Sequence, residues 1–115
     1  MEEKYKIQVR LRLAASLRKI INRNKEIVNK NLEKGIKNVS IVDGVRQLEA
    51  ASRLSYTIVQ GVFSAKRDLH VSTLLSLIEE GLDMSLTEFA KVYDSITDEE
   101  IKVVKKEIAA SERKK

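Results

Sequence analysis

The chain has 115 residues with no Cys, no Pro, one His and four Gly. A disulfide framework, thiolate chemistry and a His/Cys zinc cluster are therefore excluded, and the composition favours helices over a turn-rich β fold or a disordered chain. The net charge of +5 is unevenly spread: +7 over residues 1–37, +2 over 38–67, −8 over 68–101 and +4 over 102–115. A basic N-terminal half with an acidic third quarter is the footprint expected of a polyanion binder that turns its acids away, although solvated helix faces give similar totals. No apolar run is long enough for a membrane span, and MEEKYK is followed by no signal-type apolar stretch. The expectation is one domain of a soluble, cytoplasmic protein with no membrane association.

Residues 5–34 open the chain. Tyr5, Val9, Leu13, Leu17, Ile20, Ile21, Val28 and Leu32 recur mostly at steps of three and four, which suits one helix stripe. Residues 5–13 also alternate apolar and polar as a strand would, but Leu-Ala-Ala-Ser-Leu at 13–17 favours helix, expected from about residue 7. Gly35 is the expected stop, and residues 36–43 read as a connection with room for a short extended piece. A second helix is expected over 44–53, capped by Asp43 or Gly44, with Val45, Leu48, Ala51 and Ser52 on one face.

A third helix follows after a tight turn at Arg53-Leu54, with Ser55 as its N-cap. Ile58, Val59, Val62 and Phe63 form its inward face. Thr57, Gln60, Gly61 and Ser64 form the opposite face, which is small and polar where a solvated face would carry Lys and Glu. Lys66, Arg67 and His70 follow as a basic loop. The fourth helix opens at Val71 or Ser72, buries Leu74, Leu75, Leu77 and Ile78, and stops at Gly81. Ser85 and Glu88 form a capping box for a fifth helix with the stripe Leu86, Phe89, Ala90 and Tyr93. Thr97 and Glu100 form a second box for a last helix, whose thin stripe Ile101, Val104 and Ile108 offers a dimer face or folds back on the domain.

Two short helices joined by a tight turn fit a helix-turn-helix, in which the second helix enters the DNA major groove and the first crosses the backbone. Gln60 suits adenine, Thr57 a thymine methyl, Gly61 a close approach, and Tyr56 stands at the helix tip. Two helices and a turn also occur in any all-α domain.

The stretch 45–89 resembles the Cro/lambda-repressor-type (XRE) helix-turn-helix family. The resemblance rests on Gln47-Leu48, Leu54-Ser55, Val59, Val62, Lys66-Arg67-Asp68, Ser72-Thr73-Leu74-Leu75 and Leu86-Thr87-Glu88-Phe89, in that order. Upstream, LRLAASLRKI at 11–20 is similar to the family's first helix. The resemblance covers about two thirds of the chain. It implies an all-α, lambda-repressor-like bundle of five short helices, here with a long first helix, an insertion at about 26–43 and an extra C-terminal helix. The implied domain is 1–95, with its helix-turn-helix at 44–64, followed by an amphipathic helix and basic tail at 96–115.

The chain departs from the family pattern at several places. Arg53 stands at the usual turn Gly, Glu49 at a small Ala, Ala65 at a capping Gly, and Leu69 at a Pro. Ile21 and Phe63 occupy the positions of a family Arg–Glu ion pair, so an apolar contact is expected in its place. The family's Gln at the start of the second helix is Val45. The insertion either lengthens the first helix, the favoured reading, or touches phosphates.

The implied function is sequence-specific binding of double-stranded DNA by a transcriptional regulator, as a homodimer. Tyr56, Thr57 and Gly61 sit where the family reads bases, with Gln60 and Ser64 beside them. Arg46 and Gln47 sit near the backbone-clamping end of the second helix, and Ser55, Lys66 and Arg67 near phosphates. No cofactor, metal or enzymatic activity is expected: there is no thiol, Gly is too sparse for a phosphate loop, and Glu79 and Glu80, adjacent on a helix, diverge. The competing reading is an antitoxin-like protein-interaction module that uses the acidic 68–101 surface or the C-terminal helix.

Overall fold

A computed structural model describes residues 2–36 and 41–113. Of the extended piece considered within 36–43, residues 37–40 lie outside the described residues, and 36 and 41–43 take no regular structure. All regular structure among the described residues is helical: α1 (Glu2–Glu33), α2 (Val45–Ser52), α3 (Tyr56–Phe63), α4 (Val71–Leu75, continued by a π-helical segment Ser76–Gly81), α5 (Leu86–Ser95) and α6 (Asp98–Arg113). None of these helices is long and apolar enough to cross a membrane.

Helix α1 is the spine. Every residue from Leu13 to Leu17 is buried, as are Leu11, Ile20, Ile21 and Asn24. A helix segment buried all round must have partners on all sides, and α1 packs against α3, α5 and α6. On one side Leu13, Leu17, Ile20 and Ile21 join Leu48, Val59, Val62, Phe63, Leu77 and Ile78 in the main core. On another, Leu11, Ala14 and Ala15 receive Ile96, Ile101 and Val104, with Ile108 beside them. The two alanines let α6 come close. The Ile101–Val104–Ile108 stripe thus folds back on α1 and is not available as a dimer face.

The strand alternative for residues 5–13 is not realised, and the helix begins several residues before position 7. The lengthening of the first helix favoured for the 26–43 stretch is seen as far as Glu33, and Gly35 closes α1. Gly35 takes φ 78°, its amide donates to the Leu32 carbonyl, and the Ile36 amide reaches the Asn31 carbonyl at 2.7 Å. This is the Schellman arrangement, for which a residue with positive φ is required.

The apolar stripe expected along the whole of α1 is buried only in its middle: Tyr5 is 72% and Leu32 54% exposed. The cause is length. At 1.5 Å per residue a helix of 32 residues spans about 48 Å, close to the molecule's 50 Å long axis, and the other helices pack only against its centre. Leu86 and Ala90, expected in the α5 stripe, are likewise exposed. Phe89 alone of that stripe is fully in the core, with Tyr93 half-buried.

The expected caps are present. The Glu88 amide donates to Ser85 Oγ and the Ser85 amide to Glu88 Oε1, both at 3.1 Å. The same pair of bonds links Thr97 and Glu100, at 3.1 and 3.0 Å. The bonds from Ser85 hold the Glu88 carboxyl below the usual range. Lys19, ahead of the Thr97 amide, does the same for Glu100, and its ammonium lies 3.0 Å from that carboxylate. The box holds the Glu100 carboxylate at the start of α6, and the ion pair ties it to α1.

Candidate nucleic-acid interface

Helices α2 and α3 are joined by Arg53, Leu54 and Ser55. Arg53 has φ 62°, a left-handed conformation that favours Gly, and its amide donates to the Glu49 carbonyl. Ala65 has φ 57° and closes α3 with a second Schellman arrangement. Its amide donates to the Val62 carbonyl at 3.1 Å, and the Lys66 amide to the Gly61 carbonyl at 2.8 Å. Both positions place a Cβ where only Gly is unstrained, at about 1 kcal/mol each. Arg53→Gly and Ala65→Gly should therefore each raise the thermal midpoint, by up to about 1 kcal/mol of stability once glycine's greater unfolded-state freedom is offset. A fall in midpoint for both would show that these conformations are not strained.

Helix α3 is held by its apolar face. Val59, Val62 and Phe63 are buried, and Ile21 lies in the same cluster as Phe63. Ile21 and Phe63, for which an apolar contact was expected, are thus both buried in the main core. Sequence reasoning missed Arg18. Its Nε and Nη2 donate to the Phe63 carbonyl at 3.0 and 2.8 Å, and its Nη1 to Glu107 at 2.9 Å. One guanidinium thus satisfies the C-terminal end of α3 and fastens it to α1 and α6. The signal was an arginine directly after the run Leu13–Leu17, every residue of which is buried.

The opposite face of α3 is open. Tyr56, at the helix tip, is 58% exposed and Thr57 is exposed, while Gln60, Gly61 and Ser64 are half-buried. These five residues, with Lys66 and Arg67, line one shallow hollow of about 360 Å³. The structure therefore brings together seven of the residues singled out from sequence. Of the remaining three, Ser55 caps α3, its Oγ accepting from the Ile58 amide at 3.3 Å. Gln47 folds back on the chain just ahead of α2: its Oε1 accepts from the Asp43 amide at 2.8 Å, while the N-cap, Gly44, makes no side-chain cap bond. Arg46 is exposed on the first turn of α2.

Two residues of the hollow have partners within the chain. The Lys66 ammonium lies 2.8 Å from Glu112 of α6, with both side chains about half exposed, so the pair is screened and exchangeable. Gly61 has a different use from the one its sequence position suggests. A Cβ there would meet Cδ and Cγ of Arg67 at 2.6 and 2.8 Å, so the missing side chain lets the Arg67 stem lie across α3. His70 is exposed ahead of α4, in keeping with a surface residue.

No family model, no curated protein and no solved structure matches the chain.

Proposed function

We propose that this protein binds double-stranded DNA by laying the Tyr56–Ser64 face of α3 in the major groove, and that it acts as a transcriptional regulator of the lambda-repressor type. One observation carries the reading: the face of α3 turned from the core carries no charged residue of its own, is low in profile, and is crossed only by the Arg67 stem at Gly61, with Lys66 beside it. The groove is about 12 Å wide and admits one helix. Thr57 and Gln60 are the base-reading groups, and Tyr56 works at the helix tip. Arg46, Lys66 and Arg67 hold phosphates, with Ser55 and Gln47 keeping the two helix starts in shape. Paired half-sites one turn apart require a homodimer; its interface lies elsewhere than on the inner stripe of α6, which α1 already covers.

The test is a salt titration on a random duplex, followed by selection of bound duplexes from a random pool. Affinity should fall steeply as salt rises, with a log–log slope near −0.9 per phosphate neutralised. Replacing Arg46 and Arg67 by Ala should make that slope shallower by about 2. Thr57→Ala and Gln60→Ala should weaken the selected site more than the random duplex. Absence of duplex binding at every salt concentration would overturn the reading in favour of a protein-interaction module, for which Glu79, Glu80 and Asp83 supply an exposed acidic surface.

A further inference from the structure

A second hollow, of about 490 Å³, lies between α1, the 67–69 loop, α4 and α5. That volume falls within the roughly 300–1,000 Å³ of small-molecule sites. Its walls are apolar: Leu13, Leu74, Leu86, Phe89 and the Tyr93 ring. Leu86 is 50% exposed there, although it follows a well-formed cap and lies one turn from buried Phe89. Tyr93 is steadied by the Arg12 guanidinium, 5.3 Å from its ring centroid.

The charged groups in the wall are Arg10, Arg67 and Asp68. Arg10 grips the Asp68 carboxylate with both arms of its fork, Nε to Oδ1 at 2.8 Å and Nη2 to Oδ2 at 3.0 Å. The chain itself thus shows what this guanidinium takes: a planar carboxylate, bound bidentately. The pair is open to solvent, and Asp68 belongs to a loop, so an external carboxylate carrying an apolar body can compete for the same fork. Arg67 adds a second cation beside it and lines the α3 hollow as well.

We propose that this hollow binds a small apolar carboxylate whose head group replaces Asp68 on Arg10, and that its occupation moves Arg67 on the α3 face. The second half rests on the DNA-binding reading; the first does not. Once Asp68 is released, the loop loses its tie to α1, and the neighbouring residue is the one whose stem lies across Gly61.

Octanoate, octanol and octylamine share one tail and differ in the head group, so they test the assignment on the full chain through backbone amide shifts. Octanoate should bind saturably at about 1 mM or tighter, with shifts centred on Leu69, Leu74, Phe89 and Ala90, and octylamine at least tenfold more weakly. Arg10→Gln should weaken octanoate at least fivefold while changing octanol less than twofold. Asp68→Asn, which removes the internal competitor and keeps Arg10, should tighten octanoate. Ala90→Trp should fill the hollow and block both ligands. Equal binding of acid and amine, shifts centred elsewhere, or a second copy of the chain found seated on these residues by sedimentation would overturn the site. Octanoate should also change duplex affinity at least threefold in the wild type and not in Ala90→Trp. A protein that binds octanoate with no change in duplex affinity keeps the site and loses the coupling. One that binds octanoate but no duplex loses the coupling and the DNA reading together.

Discussion

Leu48→Ala should cost about 2–5 kcal/mol, a large part of the roughly 5–15 kcal/mol that holds a domain of this size. Leu48 is fully buried and is the main contact by which α2 seats on the π-helical segment Ser76–Gly81. A Cβ added at Gly81 would fall 2.5 Å from Leu48 Cδ1 and 3.2 Å from Ser52 Cβ. Gly81→Ala alone should therefore overpack the same contact and cost about 1–3 kcal/mol, since a Leu enclosed on all sides cannot swing away. The two changes together should cost less than their sum, because the new methyl enters the space that Leu48 vacates; residues in contact couple by about 0.5–3 kcal/mol. Denaturant titrations of the two single variants and the double variant measure this. Strict additivity would mean that α2 does not dock through the Leu48–Gly81 contact. The same methyl at Gly61 should be nearly neutral, because there it meets Cδ and Cγ of Arg67, the stem of an exposed side chain that can rotate away.

The parts of this structure that were legible in the sequence are those that local chemistry decides. Both capping boxes, the Ser55 cap and the Gly35 stop each need a few neighbouring residues and nothing else. The left-handed backbone at Arg53 and Ala65 was legible for another reason: each sits where a resembling pattern carries Gly, and a turn of that shape keeps its φ even when the residue has a Cβ. What remained hidden is set by distant elements. Tyr5 and Leu32 continue the helical period of α1, but period says nothing about whether another helix reaches that far along a 48 Å rod. Leu86 and Ala90 keep the spacing of a core stripe and yet face the apolar hollow. Ile101, Val104 and Ile108 read equally well as an interface or a return, and only the small Ala14 and Ala15 on the opposing face explain the return. At the α3 interface Thr57, Gln60, Gly61 and Ser64 were legible from 100° periodicity and Lys66 and Arg67 from the basic loop that follows, whereas Arg67 over Gly61, Gln47 on the Asp43 amide and Arg18 on the Phe63 carbonyl each depend on a side chain finding a partner outside its own element.

Thr57→Glu should separate stability from binding by moving them in opposite directions. Thr57 is the second residue of α3 and exposed, and the first turn of that helix has no acidic residue. A carboxylate there meets the positive end of the helix and should stabilise the fold by about 0.3–1 kcal/mol. The same carboxylate would project into the hollow formed with Tyr56, Gln60, Lys66 and Arg67, where the proposed function brings the phosphate-lined groove. Like charges brought together at an interface cost several kcal/mol, so duplex affinity should fall at least about 100-fold at low salt, with neither helix content nor thermal midpoint reduced. A Thr57→Gln control of similar size without the charge should lose far less. If Thr57→Glu bound duplex as tightly as the wild type while unfolding at the same or a higher temperature, α3 would not be the element that meets DNA, because no helix carrying a new negative charge at its leading turn can enter a polyanion's groove without a penalty.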